Sequence, residues 1–143
     1  MSSFKVFEIA GSGMSAESVR LNTVASNLAN ANSVSGDPSQ VYQAKHPVFQ
    51  TVQALGVAAN QTAEQASASV KVLGIAANTA APEARYDPSN PLANSEGYVY
   101  SSNVNVVEEM TDMISASRSY QNNVEVMNTA RNMMLDTLKL GQS

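Results

Sequence analysis

The sequence predicts a mainly α chain with a small β region (α+β): long N- and C-terminal helices packing as an antiparallel, coiled-coil-like pair, with a small central β-rich segment. Three observations predict it. All five prolines (Pro38, Pro47, Pro82, Pro88, Pro91) lie between residues 38 and 91. Proline costs about 3 kcal/mol inside a helix, so long helices are confined to the two ends. Both ends carry apolar residues at seven-residue spacing, a helical period, whereas the middle carries short apolar alternations and turn dipeptides. The 143 residues suffice for one domain with a modest core. They divide into an N-terminal helical segment (1–35), a central β/loop segment (36–103) and a C-terminal helical segment (104–143). The terminal helices together make one core domain.

In the N-terminal segment Phe7, Met14, Leu21 and Leu28 recur every seven residues, with Gly11, Ser18, Ala25 and Asn32 between them. Alternating large and small residues make a narrow stripe that a partner helix can approach closely. Ala10 and Val24 widen it, and Asn22, Asn27 and Asn30 are expected to point away. Gly11 and Gly13 each weaken a helix by about 1 kcal/mol relative to Ala, so the helical signal is stronger over 15–31 than over 4–14.

The central segment offers strands at Val41–Gln53 and Val70–Ile75, separated by Ala54–Ser69, which is rich in Ala, Gln and Ser and reads as a loop. Tyr86 to Tyr98 contains Asp-Pro, Asn-Pro and a glycine, all turn chemistry. The C-terminal segment carries Val106, Met113, Tyr120, Met127 and Met134 as one series and Met110, Ser117, Val124, Arg131 and Leu138 as its companion. Asn105 with Glu108 three residues on is a helix start. Glu108, Glu109 and Asp112 suit the positive end of the helix dipole. Lys139 and Gly141 suit the other end, giving a helix over about 106–140.

Charged residues are 14% of the chain, against about 25% in a typical soluble domain. Neutral polar surface is cheaper to desolvate than charge, which suits a subunit buried against neighbours. The eight Lys and Arg are scattered at a net charge of −4, which gives no footprint for nucleic acid. No apolar run approaches the roughly 18 residues of a membrane span, so no membrane insertion is expected. Lys5 and Glu8 interrupt the N-terminal apolar residues, which argues against a secretory leader.

Catalysis has little foothold. The single histidine, His46, precedes Pro47 and has no companion base or nucleophile in the pattern. Glu108 and Glu109 are adjacent and do not face each other; Glu108 and Asp112 share a face, which helix-start electrostatics explains. No metal-ligand spacing or phosphate-binding glycine loop occurs. The expectation is a non-enzyme with no catalytic, metal or cofactor residues and no small-molecule substrate.

Assembly is the better-supported class. The residues expected to pack helices in and between subunits are Phe7, Met14, Leu21, Ala25, Leu28, Val106, Met110, Met113, Tyr120, Val124, Met127, Met134 and Leu138. Five of the seven methionines lie between residues 110 and 134. Methionine adapts to unlike neighbours, although it packs equally well between a chain's own helices. Asn22, Asn27 and Asn30 either hydrogen-bond across subunits or form a solvated face. Arg131, on an otherwise apolar stripe, either snorkels to solvent or pairs with an acidic group of a neighbour. Narrow stripes gain from added helices, so the free monomer is expected to have frayed ends that order on assembly.

Ser26-Asn27-Leu28-Ala29-Asn30-Ala31-Asn32-Ser33 resembles the N-terminal signature of bacterial flagellar axial proteins, the rod, hook and hook-associated subunits. Tyr86-Asp87-Pro88 through Pro91, Gly97-Tyr98-Val99 and Asn103 to Met110 look like the rod subunits of that family. Ser117 to Gln121 and Val124 to Asn128 continue the likeness, which covers about 1–50 and 70–140. Asn94 departs from it, standing where an acidic residue is expected. The resemblance implies a structural subunit of the proximal rod, transmitting torque from motor to hook and filament. It further implies export through the flagellar type III apparatus without leader cleavage, and assembly with copies of itself and other rod proteins in the periplasmic basal body. A soluble helical adaptor or export chaperone of such an apparatus is the alternative; it would be a well-folded dimer when alone.

Overall fold

The computed structural model describes residues 3–54 and 67–141. In chain order the elements are α1 (Ser3–Ala29), β1 (Val34–Ser35), β2 (Lys45–Ala54), β3 (Ser67–Ala77), β4 (Glu83–Tyr86), β5 (Tyr98–Ser101) and α2 (Val106–Leu140). The predicted class is the one found: two long terminal helices pack together, with a small antiparallel β region between them in sequence.

α2 spans 35 residues, about 50 Å at 1.5 Å per residue. Asn105 caps it, its side-chain oxygen accepting from the amides of Val107 at 3.1 Å and Glu108 at 3.4 Å. Gly141 ends it with φ −80°, so the stop does not use a left-handed turn. α1 is helical from Ser3, through both glycines. At Gly13 the reason is visible: an added Cβ would lie 2.8 Å from Asn123 Nδ2 of α2. The missing side chain lets the helices approach, which offsets the helix-propensity cost.

The pair is antiparallel, with Asn27 meeting Glu109, Gly13 meeting Asn123, and Val6 sharing a groove with Ala130. The seam is not where the large apolar residues predict it. On α1 the buried residues are Ala10, Ala16, Thr23, Val24 and Asn27, while Phe7, Met14, Leu21 and Leu28 are half-buried on its flank. Ser18, Ala25 and Asn32, expected on the stripe, are exposed. On α2 the centre line is Glu109, Ala116, Asn123 and Ala130, with Met113, Tyr120, Met127 and Met134 half-buried beside it. In each helix the seam is turned about one residue from the predicted centre. Small side chains permit closer helix approach, so they take the contact line and the bulky ones its margins.

β1, β5 and β4 form a three-stranded antiparallel sheet in that order, and β2 pairs with β3 in a separate two-stranded one. β1, β4 and β5 lie outside the two predicted strands. β2 begins at Lys45 and not at Val41; Val41 and Ala44 are buried ahead of it. The predicted loop Ala54–Ser69 is strand at its described ends, Ala54 in β2 and 67–69 in β3, and 55–66 lie outside the described residues. The Tyr86–Tyr98 turn is confirmed and carries a strand on each side. Asp87 N–H donates to Gly97 O at 2.9 Å, and Asn94 Oδ1 accepts from the amides of Glu96 and Tyr98 at 3.0 and 2.9 Å. Gly97 takes φ +81°, and the Tyr86 and Tyr98 rings meet edge-on at 5.3 Å.

Gly36, just after β1, carries a close approach of another kind. A Cβ there would lie 2.6 Å from the backbone oxygen of Leu92, which has no flexible end to swing away. Gly36→Ala is expected to cost about 1–3 kcal/mol in urea unfolding. An unchanged midpoint would show that the loop at 92–94 moves freely.

The interior is built from small groups. Among the described residues the buried apolar ones are Ala10, Ala16, Val24, Val41, Ala44, Val99, Ala116 and Ala130, and the largest fully buried side chains are Val99 and Asn27.

Candidate functional site

The junction of α1, α2 and β2 is held by one amide. Asn27, 0% exposed, sits in the last turn of α1. Its Nδ2 donates to Glu109 Oε1 of α2 and to the backbone oxygen of Lys45 at the start of β2, both at 2.8 Å. Its Oδ1 accepts from the Lys45 amide and the Tyr42 hydroxyl, both at 2.9 Å. An asparagine side chain has two donors and two acceptor sites, and all four are used within the subunit. This corrects the expectation for Asn27: it points into the helix pair and has no capacity left for a neighbour. Asn27 lies seven and fourteen residues from Arg20 and Gly13, which also meet α2, but the sequence carries no signal that this series is the inner one.

Around Asn27 the electrostatics are mixed. Glu109, 2% exposed, belongs to the helix's acidic first turn but faces α1, whereas Glu108 is exposed. Burial, first among several causes, pushes the Glu109 carboxyl above its usual range of about 4.5; the Asn27 bond and His46 oppose this, and Asp112 and Glu108 reinforce it. Arg20 of α1 pairs with Asp112 of α2 at 3.0 Å. Arg20, Val24 and Asp112 line a cleft of about 240 Å³ with His46, Pro47 and Phe49 of β2. A second amide, Asn103, does similar work near the sheets. It accepts from the Ala44 amide at 2.7 Å and donates to the backbone oxygens of Asn78 at 3.2 Å and Ala80 at 2.9 Å. These groups bind segments to one another; they present no nucleophile–base pair aimed at a common point. Among the described residues no group of three or more His, Cys, Asp or Glu is placed to hold a metal.

The other predicted residues separate into two sets. Phe7, Met14, Leu21, Leu28, Met113, Tyr120, Val124, Met127 and Met134 are half-buried. Ala25, Val106, Met110, Arg131 and Leu138 are exposed, so they do not pack the chain's own helices. Asn22 is exposed, and Asn30, just past α1, donates to Ser26 O in the last turn of that helix at 2.9 Å. Several exposed apolar residues of α2 were not singled out, among them Val107 (74%), Ile114 (54%) and Met133 (64%). Val107, Met110, Ile114 and Leu138 are each more than half exposed. A groove of about 610 Å³ runs where Val6 meets Val126, Ala130 and Met133.

A helix pair with a small-residue seam and apolar residues left outside is the geometry of an assembling subunit, and two family matches give that class its identity. Residues 7–36 match the family described as "Flagella basal body rod protein", and residues 95–140 that described as "Flagellar basal body rod FlgEFG protein C-terminal". The first covers most of α1, with Asn27; the second covers β5 and α2, with Glu109. Curated relatives match over the whole length. The "Flagellar basal-body rod protein FlgC" of Salmonella typhimurium is 50% identical over 142 residues, 99% of this chain and all of the relative. Proteins of the same name from Yersinia enterocolitica and Buchnera aphidicola subsp. Schizaphis graminum are 49% and 42% identical, each over 99% of this chain and all of the relative. The chain belongs to the FlgC family of flagellar basal-body rod proteins, which are structural subunits of the rod.

Proposed function

We propose that this chain is a subunit of the proximal rod, joined through its terminal helices to copies of itself and to other rod proteins so that torque passes from motor to hook and filament. One observation carries the reading: much of the apolar surface of α2 is left uncovered in the monomer. Val107, Met110, Ile114, Met133, Leu138 and Leu140 are between 53 and 76% exposed on a helix whose own seam is Ala116 and Ala130. Exposed apolar surface on this scale marks a face meant for other protein. Phe7, Met14, Leu21 and Leu28 are only half-buried, and a third helix would complete their burial. Together the terminal helices form a coiled-coil-like inner layer, whose ends are frayed in the free monomer and order on incorporation.

The same reading extends to route and place. The subunit leaves the cytoplasm through the flagellar type III apparatus and takes its position in the periplasmic part of the basal body. Its contribution is mechanical, not catalytic. No helix of the described residues is long and apolar enough to cross a membrane.

The test is a gene deletion complemented by an epitope-tagged chain. The deletion strain is expected to be non-motile, and the tagged chain to co-purify with detergent-extracted basal bodies. Recovery of the tagged chain only as a soluble dimer with export substrates would overturn this reading in favour of a chaperone.

A further inference from the structure

We infer that the Asn27–Glu109 contact is a protonation-sensitive latch, which holds the β2–β3 pair against the two helices more firmly when the Glu109 carboxyl is neutral. The inference is independent of the rod reading. Its basis is the geometry of one buried carboxyl. Glu109 Oε1 receives the Asn27 Nδ2–H at 2.8 Å, while Oε2 is buried with no hydrogen-bond partner among the described residues. A carboxylate offers about four acceptor positions. Filling one of them in a water-excluded site leaves the ionised form poorly solvated, whereas the neutral acid asks for less.

The charged groups facing Glu109 come from all three packed elements. α2 supplies Glu108 and Asp112, both of which disfavour a further negative charge. β2 supplies His46, which favours it. α1 supplies Arg20, engaged with Asp112 at 3.0 Å and so partly cancelling that carboxylate. Lys45 is bound to Asn27 only through its backbone; its ammonium lies 5.4 Å from the centre of the Tyr42 ring. Burial outweighs the rest, and the carboxyl titrates above its usual range. Its folded value exceeds its unfolded value, so this group's contribution to stability is fully present below about 4.5 and is lost as pH rises through the folded value. The loss reaches the sheet because one amide serves both partners. The Asn27 Nδ2 that holds Glu109 also holds Lys45 O, and its Oδ1 holds the Lys45 amide, the first residue of β2.

The test is amide hydrogen exchange at Lys45 in the full-length chain from about pH 4.5 to 7.5, corrected for intrinsic rates. Each pH unit separating folded and unfolded titration is tenfold in the underlying equilibrium. Protection at Lys45 is therefore expected to fall several-fold across the range in the native chain. It is expected to stay level in Glu109→Gln and to fall as in the native chain in Glu125→Gln, an exposed acid further along α2. The same decline in Glu109→Gln would overturn the latch. Should that variant not fold, carbon-13 titration of the Glu109 carboxyl in the native chain decides: a Lys45 amide shift that does not follow it overturns the inference, and one that does supports it.

Discussion

Replacing Asn27 with Ala is expected to destabilise the chain by about 3–5 kcal/mol, the largest effect of any single truncation. Asn27→Ala strands four partners at once: the Glu109 carboxyl, the backbone oxygen and amide of Lys45, and the Tyr42 hydroxyl. Glu109 is 2% exposed, so water cannot replace the lost donor without opening the helix pair. Urea unfolding followed by far-UV circular dichroism measures the loss. Asn27→Asp keeps the two bonds to Oδ1 but sets a second carboxyl against Glu109, and is expected to be worse at neutral than at acid pH. A loss below about 1 kcal/mol for Asn27→Ala would show that water or a shifted α2 relieves the stranded groups.

The second large effect is on assembly and spares the fold. Met110→Glu with Leu138→Glu places two carboxylates on α2, where the native side chains are 53 and 63% exposed. Monomer stability is expected to stay within about 0.5 kcal/mol of native, as for surface changes generally. Incorporation into basal bodies, and with it swimming, is expected to be lost, because a charge buried at a helix interface without a partner costs far more. The contrasting change is Ala116→Leu on the seam, 0% exposed, where overpacking is expected to cost the monomer about 1–3 kcal/mol. Melting curves and motility plates separate the two outcomes. Normal swimming with the doubly charged face would refute its role in assembly.

Much of the fold was legible in the sequence. The Asn105 cap and Gly141 give α2 its two ends at Val106 and Leu140. The short strands were less so. β1 is two residues long and β4 and β5 four each, too short for alternation to register, and β4 is exposed throughout. Their signal was the turn itself, since Gly97 and Asn94 close a connection that holds Tyr86 against Tyr98.

The sequence by itself determined two terminal helices, a β-containing middle and a chain whose polar surface is short of charge. Only the tertiary structure decided which face of each helix is the inside. Size-ranked hydrophobicity selects Phe7, Met14, Leu21 and Leu28, but two helices approach most closely where side chains are smallest, at Gly13, Ala16 and Ala116. That choice turns Asn27 inward as a buried tie and leaves Met110 and Leu138 exposed. Periodicity fixes the spacing of a stripe; its facing depends on what the partner helix brings to meet it.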